Sequence, residues 1–128
     1  MERNCLVIDE EGKPLFDFKL EDYGITPEIL LKMYKGIVLT REIDRLGWIL
    51  VRQGKAYFYI SIGGHETAHV ASLYALEKED YVMPFYRTVP SLHVRSVKLE
   101  EIFSQILGKS TDPLKGKQIP EHFRKKKN

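Results

Sequence analysis

The sequence predicts a helix-rich α/β fold, and three observations carry that expectation. A long segment of helical apolar spacing opens at Thr26-Pro27 and runs to Gly54. A shorter one, Leu99 to Leu107, ends at Gly108. Between them lie two aromatic and β-branched stretches, residues 56–62 and 81–86, that suit strands or extended connectors. The chain has 128 residues, 43% of them apolar, which is enough for one domain with a real core.

Each element has its own signals. Residues 1–25 read as an N-terminal arm or hairpin, apolar from Cys5 to Ile8, turning at Glu11-Gly12 and resuming at Leu15-Phe16. Thr26 is a good N-cap and Pro27 suits the first helical position. Ile29, Leu30, Met33, Tyr34, Ile37 and Val38 then follow the spacing of a buried face, continued by Ile43, Leu46, Ile49 and Leu50. Gly36 and Gly47 weaken the expectation of a straight helix, and Gly54 supplies the stop. After Gly63-Gly64 a second helix starts at His65 or Glu66 and runs to about Leu76. Tyr81 to Tyr86 reads as a short buried strand, confined by Pro84 to an edge or an end. Pro90 to Arg95 reads as one or two helical turns. Glu100 and Glu101 open the Leu99–Leu107 helix, and 109–123 is a loop punctuated by Pro113, Gly116 and Pro120. The domain expectation is an arm over 1–25, a folded unit over 26–123 and a basic tail over 124–128.

Charge and cysteine content narrow the function classes. The net charge is +2. Residues 109–128 hold seven Lys or Arg against two acids, so the rest of the chain is slightly acidic. A basic end of this kind is most often a solvated tail, and neither nucleic acid nor membrane is expected as a partner. The single cysteine, Cys5, precludes an intrachain disulfide and fits a reducing, cytoplasmic compartment. No stretch free of Asp, Glu, Lys and Arg exceeds ten residues, against the roughly twenty apolar residues that span a bilayer.

Three constellations could carry chemistry. His65-Glu66-Thr67-Ala68-His69 matches H-E-x-x-H, in which two His one helical turn apart bind zinc and Glu activates water. No third His follows in the usual register, and the bland alternative is Glu66 favoured by the dipole of a helix start. Met83-Pro84-Phe85-Tyr86-Arg87 could hold a phosphorylated ligand, because Arg binds phosphate bidentately and Tyr adds a hydroxyl donor; its alternative is a strand end with a surface Arg. Lys115-Gly116-Lys117-Gln118-Ile119-Pro120-Glu121-His122-Phe123 presents a His in a Gly- and Pro-containing loop, suited to proton transfer, or else is a solvated basic loop. Read singly, the second and third favour the bland alternative.

Read in order they do not stand alone. The series Tyr34…Arg41-Glu42-Ile43-Asp44, Ile62-Gly63-Gly64-His65-Glu66, Pro84-Phe85-Tyr86-Arg87, Leu99-Glu100-Glu101-Ile102-Phe103 and Asp112-Pro113…Lys115 to Phe123 resembles the alpha subunit of the decarboxylating component of 2-oxo acid dehydrogenases, branched-chain type. The resemblance covers roughly residues 26–123. It implies the N-terminal section of the thiamine-diphosphate-binding fold, lacking most of the parallel sheet. It implies oxidative decarboxylation of a 2-oxo acid, with acyl transfer to lipoyl. The implied cofactor is thiamine diphosphate, shared with other chains. The implied partners are a beta subunit, a chain carrying the rest of the alpha subunit and a lipoyl-bearing acyltransferase, within a heterotetramer.

By resemblance, Phe85, Tyr86 and Arg87 fall where the family contacts the cofactor diphosphate. Phe58, Tyr86, Ile119, Pro120, Glu121 and His122 fall where it meets the 2-oxo acid, with His122 the catalytic candidate. The family also accounts for His65-Glu66 without zinc, as the opening of a packed helix. After Tyr86-Arg87 the chain departs from the family's usual acid, His or Gln, then Gly, and reads Thr88-Val89-Pro90. The family's Gly-Asp-Gly…Asn segment, which holds Mg²⁺, is not among these residues. The expectation is therefore a subunit piece with no Mg²⁺ site of its own and no activity alone. The alternatives are a noncatalytic subunit-interaction module and, further off, a zinc hydrolase.

Overall fold

The computed structural model describes residues 9–15 and 19–117. The basic tail and the segment Ile119–His122 lie outside them, as do residues 1–8 and 16–18 of the expected N-terminal arm or hairpin. The chain divides into two compact units, Met1–Leu31 and Lys32–Asn128.

In the first unit the expected turn is present. Lys13 N–H donates to the Asp9 carboxylate at 2.7 Å, and Gly12 takes a left-handed φ of 81°. A short 3-10 helix follows at Leu20–Tyr23, closed by Gly24. Helix α1, Pro27–Arg52, starts where Thr26 Oγ1 accepts from the Ile29 N–H.

In the second unit the order is the rest of α1, an extended connector over 56–62, helix α2 at Glu66–Ala75, a 3-10 helix η2 at Tyr86–Arg95 and helix α3 at Leu99–Ile106. Among the described residues no strand element forms. Residues 56–62 are the connector alternative. The expected buried strand over 81–86 is corrected: the stretch is extended, but Tyr81 and Met83 are 93% and 96% exposed. Only Val82 of that stretch packs against the core. No described helix is long and apolar enough to cross a membrane.

The buried face of α1 also differs from expectation. The buried positions are Gly36, Thr40, Ile43, Asp44 and Gly47, a stripe of mostly small or polar residues. Ile29, Leu30, Tyr34, Val38 and Leu46 are exposed. The helix is apolar over more than one face, so spacing alone could not select the packed one. The glycines select it, because they let neighbours approach the backbone. A Cβ on Gly36 would lie 3.2 Å from Val70 of α2, and one on Gly47 would lie 2.5 Å from the ring of Tyr59.

The core joins Ile43 of α1, Ala56 and Tyr59 of the connector, Val89 and Leu92 of η2, Val97, and Ile102 and Ile106 of α3. Pro90 lies inside η2, where its missing N–H leaves one 3-10 hydrogen bond unmade. Arg95 closes the end of α2, donating to the carbonyls of Leu76 at 3.0 Å and Glu77 at 2.7 Å.

Candidate functional site

The site forms where the connector, the start of α2 and the start of η2 meet. Asp44 is its foundation. This carboxylate is 6% exposed and accepts three hydrogen bonds: from Tyr59 Oη at 3.0 Å, Ser61 Oγ at 2.8 Å and the Ile62 N–H at 2.8 Å. A buried carboxylate survives only when its lone pairs are filled, and all three donors come from the connector. Asp44 therefore fixes the connector on α1. Ser61 Oγ in turn accepts from the Gly63 N–H at 2.9 Å.

The next layer is Glu66, 3% exposed at the first position of α2. Its Oε2 accepts from the Gly64 N–H at 2.9 Å, and its Oε1 lies 2.6 Å from Nε of Arg41. Gly64 has φ 89°, a left-handed conformation that lets the chain turn into α2.

Arg87 stands above this base. Its Nη1 donates to the main-chain carbonyl of Ser61 at 2.9 Å, and its guanidinium carbon lies 5.5 Å from the Tyr86 ring centroid. Phe85 and Tyr86 have ring centroids 3.8 Å apart. Neither of the ion pairs Arg41–Glu66 and Arg45–Glu42 involves Arg87. His69 of α2 interacts with the main-chain oxygen of Arg87, while its Nδ1 is buried with no partner among the described residues. Burial pushes the His69 pKa below its ordinary value, helped by the positive charge of Arg87 and by His65.

The structure thus brings Phe85, Tyr86 and Arg87 together. Phe58, 41% exposed, lies earlier on the connector whose Ser61 meets Arg87. Ile119, Pro120, Glu121 and His122 lie outside the described residues. The loop leading to them is organised by Asp112, whose carboxylate accepts from the N–H groups of Leu114 and Gly116, each at 2.9 Å. A separate open depression there is lined by Gly108, Lys109, Ser110, Asp112, Lys115 and Gly116.

The H-E-x-x-H alternative fares poorly on geometry. Its glutamate is buried and committed to Arg41 and Gly64, so it does not face water as a general base would. Among the described residues no three His, Cys, Asp or Glu side chains gather to hold a metal.

Asp44, Ser61 and Arg41 were not singled out as site residues from sequence, and His69 was singled out only as a zinc ligand of the H-E-x-x-H alternative. The available signal was an ionisable residue, Asp44, on the same stripe as Ile43 and Gly47.

Residues 34–128 match the family model described as dehydrogenase E1 component. The chain is 37% identical over 107 residues to 2-oxoisovalerate dehydrogenase subunit alpha of Bacillus subtilis, covering 82% of this chain and 32% of that protein. It is 37% identical over 115 residues to pyruvate dehydrogenase E1 component subunit alpha of Staphylococcus aureus, 90% of this chain and 30% of that protein. The mitochondrial 2-oxoisovalerate dehydrogenase subunit alpha of Mus musculus is 37% identical over 117 residues, 91% of this chain and 26% of that protein. The chain thus spans about a third or less of the length of these relatives. With the match extending over most of its residues, the chain belongs to the dehydrogenase E1 component family.

Proposed function

We propose that this chain supplies the diphosphate-contacting corner of a thiamine-diphosphate-dependent 2-oxo acid dehydrogenase alpha subunit, with Arg87 as the anchor and Tyr86 and Phe85 beside it. One observation carries the reading. Arg87 is half-buried, has no carboxylate partner among the described residues and is held by a single carbonyl. A charge removed from water without a counter-charge is costly, and a diphosphate would provide one. The guanidinium fork has five N–H donors, of which Ser61 takes one. The site's residues therefore fit the group.

When bound, the cofactor would supply the carbanion chemistry of 2-oxo acid decarboxylation. The chain's own residues bind and orient. Arg87 would hold phosphate oxygens with the fork that Ser61 leaves available, and Tyr86 would add its hydroxyl. Phe58 and the segment Ile119–His122 are proposed to border the 2-oxo acid, with His122 its polar, catalytic end. Mg²⁺ is proposed to be held by residues outside this chain. A beta subunit, the remainder of an alpha subunit and a lipoyl-bearing acyltransferase are the proposed partners, as the chemistry named for the relatives suggests. The proposed setting is cytoplasmic, supported by the single cysteine.

The test is titration of thiamine diphosphate, with Mg²⁺, into the chain assembled with those subunits. A charge-assisted contact is worth about 1.5–3 kcal/mol. Arg87→Ala should therefore weaken the cofactor roughly 10- to 150-fold. Arg87→Lys should recover only part, because it keeps the charge and loses the fork. Equal affinity for wild type and Arg87→Ala would reject the assignment. The Thr88-Val89-Pro90 turn does not displace Arg87 from Ser61, since Thr88 N–H closes on the Phe85 carbonyl at 2.8 Å and η2 continues from there.

A further inference from the structure

We infer that Asp44, buried under the connector, is a positioning residue for Arg87, acting through the peptide plane between Ser61 and Ile62. The inference rests on the reading of Arg87 as the diphosphate contact.

The argument starts from the geometry of one peptide bond. A trans peptide is planar, and its N–H and C=O point in opposite directions. The Ile62 N–H points at Asp44 Oδ1, 2.8 Å away. The carbonyl of the same plane belongs to Ser61 and must point the other way. It meets Arg87 Nη1 at 2.9 Å. One buried carboxylate thus sets the direction of the acceptor that receives Arg87. A second bond stiffens the plane, because Ser61 Oγ donates to Asp44 Oδ2 at 2.8 Å. Rotating the peptide to release Arg87 would take the Ile62 N–H away from the buried Asp44 Oδ1. The negative charge behind the N–H also polarises the plane and makes its carbonyl a better acceptor.

The same geometry separates this role from simple stabilisation. Asp44 also takes the Tyr59 hydroxyl at 3.0 Å, and that bond holds the connector without touching the Ser61–Ile62 plane. Tyr59→Phe should therefore lower stability and leave Arg87 in place. Asp44→Ala removes both acceptor oxygens, so the Ile62 N–H loses its partner. It should release the Ser61 carbonyl and, with it, Arg87. Ser61→Ala removes one stiffening bond and keeps the Ile62 N–H bond, so its effect on Arg87 should be small.

The experiment follows the Arg87 side-chain nitrogen resonances by NMR in the full chain, with folding checked for each variant. In the wild type, a through-hydrogen-bond coupling should connect Arg87 to the Ser61 carbonyl, and the Ile62 amide should be protected from exchange. In Asp44→Ala the Arg87 signals should move to those of a free, solvent-exchanging arginine, whereas in Tyr59→Phe they should not. In the assembled enzyme, Asp44→Ala should weaken thiamine diphosphate about tenfold, as a misplaced rather than missing contact would. Unmoved Arg87 resonances in a folded Asp44→Ala chain would overturn the inference. So would equal shifts in Asp44→Ala and Tyr59→Phe. Should Asp44→Ala not fold, the wild-type coupling and the Ile62 protection decide, and the absence of either overturns the inference. Failure of wild-type enzyme to bind thiamine diphosphate would reject the cofactor reading instead, and the resonances would still report on the link from Asp44 to Arg87.

Discussion

Gly47 shows how a residue with no side chain fixes the position of those that act. It sits on the buried stripe of α1, where Tyr59 lies against the helix backbone. Tyr59 is 6% exposed and its hydroxyl is tied to Asp44, so the ring has no room to swing away. In an open helix Gly47→Ala would add about 1 kcal/mol of stability. Here the new methyl would meet ring carbons at 2.5 to 2.7 Å. Overpacking of that kind costs about 1–3 kcal/mol, more where the neighbour is held. Gly47→Ala should therefore lower stability by roughly 2 kcal/mol net and loosen the Asp44–Tyr59 bond. Urea unfolding of the full chain measures the first effect. A variant as stable as wild type would mean that Tyr59 is free to move. The sequence showed Gly47 as a break in an apolar pattern. Its meaning depended on which residue lay against it, and no spacing rule reports that.

At the scale of elements, most boundaries were legible and the packed faces were not. Thr26-Pro27, Gly54, Gly63-Gly64 and Gly108 mark ends through local backbone chemistry, and the structure places helix ends beside each of them. Faces depend on contacts between segments far apart in sequence, such as Thr40 with His93 at 3.0 Å. Phe85-Tyr86-Arg87 became a candidate through the resemblance, since its residue types alone favoured a strand end with a surface Arg. Its support, Asp44, did not, since a carboxylate on a helix ordinarily reads as solvated. The packing of η2 on α1 and α2 also carries a pH dependence. Burial lowers the pKa of His93, beside the Gly36 carbonyl, and that of His69, against Arg87. The folded chain thus prefers both rings neutral, while the unfolded chain binds protons from about 6.5 downward. Stability should be full above that value and fall as pH drops through it towards the lowered folded-state pKa. Unfolding between about pH 5 and 8 should show this decline, and His93→Gln, which can still bond Thr40, should make it shallower. A profile identical to wild type would remove His93 from the account.

Over the whole chain, the apolar residues that α1 does not bury set the clearest expectation. Tyr34, Val38, Leu46 and Trp48 are 63%, 45%, 39% and 41% exposed, and all lie beyond Leu31, within the second unit. Single exposed apolar residues are ordinary, but several on one helix form a patch, and large patches mark contact surfaces. The proposed assembly with other subunits would give such surfaces a use. The isolated chain should bind an apolar dye and self-associate as its concentration rises. Trp48 is the chain's one tryptophan, so its emission reads this face directly. It should be red-shifted in the dilute chain, because the indole is partly wet, and should shift to the blue when another chain covers α1. Leu46→Lys, placed on the exposed side of the helix, should reduce dye binding and association while leaving the fold unchanged, because Leu46 is not part of the buried stripe. Sedimentation across a concentration series, read beside the Trp48 emission, separates association from unfolding. A chain that stays monomeric at high concentration, binds no dye and keeps Trp48 emission constant on assembly would show that this face of α1 is not a contact surface.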